Sequence, residues 1–239
     1  MHASPGSLDG PRDEWGDRPP DSERSSLPWQ ERGSYSSSLS AMAQTIKVVL
    51  FSPSQAFSYL RLENSIAESL VFVLVLGSAG ALIANLWQFL LQAQDLAAFS
   101  FFFSPQAQMV QEMGMAVSII FTAVLTPFFV TIASFIQAGI LHLCLIMTGG
   151  ANRTFAATYA VVAYAWGSTA LFLVFPMCGG LVSFVWRLIA EILGLAAAHE
   201  TDTWRALVAE LLPLAFCCGA FVILLWLLFL PALAGLYGA

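Results

Sequence analysis

From residue 69 onward the chain is a succession of apolar runs divided by short polar turns. Two runs, 155–175 and 179–198, follow one another with only Pro176-Met177-Cys178 between them. Each is ~20 residues, the length at which a helix crosses the ~30 Å hydrocarbon layer of a bilayer. Gly149-Gly150-Ala151-Asn152-Arg153 precedes the pair, and His199-Glu200-Thr201-Asp202 follows it. The pattern predicts a transmembrane hairpin with the other apolar runs packed around it.

A first span is expected over 69–91. Ser65 and Glu68, three residues apart, have the spacing of a capping box before it. Gly77 and Ala81 leave a small-residue notch for close helix contact. A polar connection is expected over 92–114, with a Phe cluster at Phe99 and Phe101–Phe103. The next run, 115–148, would be ~50 Å long as one helix. Pro127 is expected to kink or break it, so the span is placed on 127–147 with some preceding turns. A fifth span runs over 207–230, with Pro231 near its end. The fold class is thus all-α, a polytopic bundle of five transmembrane helices.

The N-terminal part reads differently. Residues 1–38 are polar and rich in Pro, Gly and Ser, a composition too poor in apolar area to order itself. Pro28-Trp29 is the exception, expected to dock on the membrane interface. Leu39, Met42, Ala43, Ile46, Val49 and Leu50 then fall on one helical face, with Ser40, Gln44 and Lys47 opposite. This predicts an amphipathic helix of about three turns, too short to span, lying in the interface. Ser52-Pro53 restarts the chain as N-cap and first helical position. The organisation is a disordered cytoplasmic tail (1–38), an interfacial segment (39–61) and a transmembrane domain (62–239). Met1–Asp21 has no apolar core of a secretory signal, so insertion through the chain's own spans is expected.

Composition agrees: 58% of residues are hydrophobic and 10% charged, against about 25% charged in a soluble domain. The net charge of −6 offers no basic footprint for nucleic acid. Lys47 and Arg61 precede the first span, Arg153 lies between the second and third, and Arg205 between the fourth and fifth. These residues fall on one side of the membrane, which places the N-terminus in the cytoplasm and the C-terminus outside. Cys144, Cys178, Cys217 and Cys218 have no metal-ligand spacing and read as packing residues.

Candidate chemistry is sparse. Ser168 invites comparison with an intramembrane serine nucleophile, with His142 as its base. Rise per residue puts them roughly 12 Å apart in depth, against the ~3 Å that proton transfer needs. His142 shares a small, polar stripe with Thr131, Ser134 and Ala138, which favours helix packing over a proton relay or ligand. His199 reads as a solvated turn residue, and Gly149-Gly150 as a helix stop. Arg187 and Glu191, one turn apart within the fourth span, are harder to set aside. Charges near mid-bilayer are functional candidates by default; a self-neutralising packing pair is the equal alternative. They share a face with Gly180, Ser183, Gly194 and Ala198, so the pair is expected to point into the bundle. No catalytic residue, metal or cofactor is expected.

Several stretches together resemble the Yip family, the Ypt/Rab-interacting membrane proteins, in its prokaryotic branch. They are PWQ at 28–30, FSPSQAF at 51–57, LHL then GG within 141–150, AYAWGS at 163–168, FPMCGGLVSFVW at 175–186 and ILGLAAAHETDTWRA at 192–206. The family pattern has a Tyr-Ser pair followed by Pro in the third span, where this chain has Ala165 and Ser168; Arg187 and Glu191 are not part of it. The resemblance implies a cytoplasmic N-terminal segment and five spans. Eukaryotic members bind small GTPases and each other, but no GTPase-docking motif stands in this tail, so that partner is not transferred.

The expected function is non-enzymatic: a membrane-organising or protein-interaction scaffold, meeting partners or itself through its transmembrane helices. The rival is a small-solute or ion transporter built on Arg187, Glu191 and His142. A channel would need polar residues at one depth on several helices, and the sequence shows a charged pair on one. The bacterial inner membrane is the expected location, with a eukaryotic endomembrane as alternative.

Overall fold

The computed structural model describes residues 26–58, 60–61, 65–99 and 105–237; most of the expected tail, 1–25, lies outside them, as do Phe101–Phe103. The elements are α1 (Ser38–Phe51), α2 (Pro53–Ser58), α3 (Ser65–Phe99), α4 (Pro105–Met147), α5 (Phe155–Thr169), α6 (Gly179–His199) and α7 (Thr203–Tyr237). A 3-10 turn, Ala170–Val174, continues α5. Five stretches are long and apolar enough to cross a membrane: Ser65–Leu91, Val117–Met147, Phe155–Val174, Gly179–His199 and Thr203–Ile223. No strand occurs among the described residues. The chain is an all-α polytopic membrane protein, as its apolar pattern predicts.

α5 is the axis of the bundle. The third span is 72% buried inside the protein, against 17% to 39% for the other four. Ala157, Ala160, Ala163, Ala165 and Gly167 make this possible, because small side chains let neighbouring backbones approach. The Phe72 ring of α3 lies 2.8 Å from where a Cβ on Gly167 would sit, and Ala170 stands 2.7 Å from that of Gly80. Phe72 also packs on Tyr164, with ring centroids 5.0 Å apart. Tyr159 stacks on Phe135 of α4 at 4.2 Å.

The interior corrects several local expectations. The 92–114 connection is largely helix, since α3 continues to Phe99 and α4 begins at Pro105. Pro127 does not break α4. Two hydroxyls flank it, Thr126 Oγ1 donating to the Thr122 carbonyl (2.7 Å) and Thr131 Oγ1 to that of Pro127 (2.9 Å). The capping box at Ser65 is not formed: its Oγ has no partner, and Glu68 instead faces Arg61 at 3.5 Å. Trp29 is buried, not laid on a surface. Its backbone N–H donates to Thr45 Oγ1 (2.8 Å) and its indole N–H to the Glu68 carbonyl (2.8 Å). Residues 27–30 thus belong to the core, where an amphipathic indole with a satisfied N–H is well placed.

α1 starts from a capping box between Ser37 and Ser40. It buries Ala41, Met42, Thr45, Val49 and Leu50, while Leu39 is 75% exposed and Ala43 exposed, so the inward face is rotated from the one expected. Pro53 opens α2 as predicted, with Ser52 closing α1 before it. α2 then runs beside α6 in the same direction. Trp186 Nε1 donates to the Leu50 carbonyl (3.1 Å), and the Phe57 ring fills the gap over Gly194, 2.6 Å from its would-be Cβ. Trp186 lies 13 residues before His199, about 20 Å along α6. The α1–α2 corner is therefore level with the middle of the fourth span.

One end of the bundle collects the basic residues. α3 runs parallel to α5, with Trp87 Nε1 on the Val174 carbonyl (3.2 Å) at the far end. Gly149, at φ +69°, ends α4, and its carbonyl accepts from Arg205 Nη1 at 2.7 Å. Arg153 pairs with Glu200 at 2.9 Å. Arg61, just before α3, donates to the Gln30 carbonyl at 3.4 Å. Arg61, Arg153 and Arg205 thus share the end where α3, α5 and α7 start.

Candidate functional site

Within the bundle, polar groups gather at two levels. The first is at the basic end. His199 is the last residue of α6, and it is fully buried, which overturns the solvated-turn expectation. The polar sequence around it suggested exposure, but the helix runs one residue further than the apolar run. The Arg153 backbone N–H donates to His199 Nδ1 (3.2 Å), so that nitrogen is an acceptor. His199 Nε2 then carries the hydrogen and donates to Thr158 Oγ1 at 2.8 Å. The Thr158 hydroxyl is left to donate to His142 Nδ1, also 2.8 Å away. His142 is therefore engaged with α5 through Thr158, and Ser134 of the same stripe meets Tyr159 OH at 3.3 Å. Ser168 is buried, its Oγ without a partner. Nothing brings His142 and Ser168 together.

The second level lies deeper. Glu191 of α6 is 0% exposed. Gln137 of α4 donates its Nε2 to both carboxylate oxygens, at 3.1 and 3.0 Å. Arg187, one turn away, holds its Nε 3.9 Å from Glu191 Oε1. That is an ion pair without a hydrogen bond, and the guanidinium lies over the Trp166 ring at 5.2 Å. The Glu210 carboxyl of α7 lies beside that of Glu191 on the other side. Glu210 is 6% exposed, and its Oε2 has no partner.

Depths agree across the helices. Counting from the basic end, Glu210 lies ~10 Å, Glu191 ~12 Å, Gln137 ~15 Å and Arg187 ~18 Å along its helix. The pair on one helix is therefore part of a four-residue cluster on three. The sequence reading missed Gln137 and Glu210. Gln137 sits three residues after Ser134, on the edge of the polar stripe. Glu210 is hidden because the apolar run of the fifth span begins at Leu207, which leaves that carboxyl at the boundary, whereas the helix begins at Thr203.

The cluster floors a groove of about 410 Å3 between α4, α6 and α7. Ile136, Ile140, Leu141, Phe184, Leu188 and Leu214 make its walls; Gln137, Arg187 and Glu210 face it from below. Ile136, Ile140, Phe184 and Leu214 are exposed at the bundle surface, so the groove opens sideways at the depth of the lipid chains. No group of His, Cys, Asp and Glu with metal-holding geometry exists among the described residues. The second level can ion-pair and hydrogen-bond an occupant, and the free thiol of Cys217 lines the same groove.

The family model described as the Yip1 domain matches residues 47–225 of the chain. No curated protein and no solved structure matches it.

Proposed function

We propose, from the premise that the chain belongs to the Yip1 domain family, that it is a non-catalytic interaction protein of the membrane. Its recognition site is the groove between α4, α6 and α7, and its partner is a transmembrane segment that enters sideways from the bilayer. One observation carries this reading: an apolar groove at lipid depth has a polar floor supplied by three helices. Helix pairs in lipid gain little from the hydrophobic effect, and are held by close packing and by polar contacts across the interface. The groove offers both, over ~12 Å of α4 from Ala133 to Leu141, about two helical turns. The basic end lies in the cytoplasm, on the distribution of Lys and Arg. The bacterial inner membrane is the proposed location, on the resemblance to the prokaryotic branch.

The test is crosslinking in native membranes followed by purification, comparing the wild type with Ala133→Phe. Ala133 is an exposed wall residue, so the ring fills the groove without entering the core. A partner that disappears with Ala133→Phe supports the reading, and one retained at the same level refutes the groove.

A second reading, transport of a small solute or ion, is favoured by the same cluster, because Gln137, Arg187, Glu191 and Glu210 meet at neighbouring depths on three helices. Solute-dependent flux in proteoliposomes, lost in Glu191→Gln, would support it over the scaffold.

A further inference from the structure

The groove floor carries one more acidic group than it has basic partners. Arg187 is the only cation among Gln137, Arg187, Glu191 and Glu210, and it stands against Glu191. Gln137 is committed to Glu191 through both oxygens. Glu210 is left as the second carboxyl, more than nine-tenths buried; it lines the groove, and its Oε2 has no hydrogen-bond partner among the described residues. A buried polar atom without a partner costs roughly 1–3 kcal/mol. In lipid, where water does not repair it, such an atom marks a place for a ligand group.

We infer that the groove takes a transmembrane segment carrying a single Lys, whose ammonium meets the Glu210 carboxylate. This deepens the proposed function and rests on it. The charge count supports it: Glu191 and Glu210 together balance Arg187 and one further positive charge. A proton on one of the two carboxyls can supply that charge, and so can a ligand cation. When the ammonium arrives, the proton leaves to water and the cluster stays neutral. Reach fits as well. Glu210 lies ~10 Å from the basic end of α7, a depth at which a lysine on an entering helix keeps its stem among apolar wall residues and its head on the carboxylate.

Two synthetic poly-leucine transmembrane peptides provide the test, identical but for one Lys or one Leu ~10 Å from the cytoplasmic end. Binding is read by fluorescence energy transfer to the labelled full chain in nanodiscs. The Lys peptide is expected to bind the wild type about ten-fold more tightly than the Leu peptide. Glu210→Gln, which keeps the shape and removes the charge, should bring that ratio near one. Ala133→Phe should abolish binding of both peptides. Equal binding of the two peptides to the wild type would overturn the charge assignment and leave the groove intact. Binding of neither, or a Lys preference that survives Glu210→Gln, would overturn the inference; in the first case the groove reading falls with it.

Discussion

At the scale of single residues, the cluster predicts an asymmetry that a simple Arg187–Glu191 pair would not show. Removing Glu191 leaves Arg187 beside Glu210, still with an acidic neighbour. Removing Arg187 leaves two carboxyl groups and no cation. A buried charge stripped of its partner is costly, by about 3–5 kcal/mol in a fully buried pair. Arg187 keeps 24% of its side chain exposed, so a smaller loss of about 2–3 kcal/mol is expected for Arg187→Leu. Glu191→Leu should lose about half as much. Thermal unfolding in detergent gives the order: wild type, then Glu191→Leu, then Arg187→Leu. The reverse order would mean that Glu210 does not serve as the second partner. The sequence disclosed Arg187 and Glu191 because charges stand out in an apolar run. It did not disclose that Gln137, not Arg187, hydrogen-bonds Glu191, since an amide on an exposed-looking helix face carries no such mark. Only the packing of α4 against α6 and α7 brings it there.

At the scale of elements, the spans were legible and their ends were not. Twenty apolar residues fix the existence of a helix, but the polar residues 92–99 extend α3 as readily as they could have ended it. Pro127 reads from the sequence as a kink or break, yet α4 continues through it. The amphipathic segment is legible as a helix, and the structure adds which of its faces meets the bundle. It buries Met42, Val49 and Leu50, and the Trp29 backbone N–H bonds Thr45 on the same helix. This predicts a depth pattern. The α1–α2 corner is level with Trp186, so a spin label at Phe51, which is 76% exposed, should be shielded from a water-soluble relaxant and accessible to oxygen. A label at Leu39 should show the opposite. Equal accessibility at the two positions would mean that α1 lies flat along the interface.

At the scale of the whole molecule, the arrangement is a buried α5 wrapped by four spans and a short N-terminal hairpin, with basic residues at one end. We propose that this end lies in the cytoplasm, which with five crossings would put the C-terminus on the other side. Reporter fusions at Gly150 and Asp202 should give a cytoplasmic signal, and those at Cys178 and Ala239 an external one. A cytoplasmic Ala239 would contradict the odd number of crossings.

The central claim is that the groove over Gln137, Arg187, Glu191 and Glu210 is where the protein meets its partner. Photo-crosslinking residues placed one at a time in native membranes test it most directly. Ile140 and Leu214 lie on the groove walls, while Phe128 and Phe221 are exposed on the same helices away from it. The account predicts a discrete protein adduct from positions 140 and 214, with lipid adducts alone from positions 128 and 221. The same adduct from all four positions, or lipid adducts alone from the groove, would contradict it.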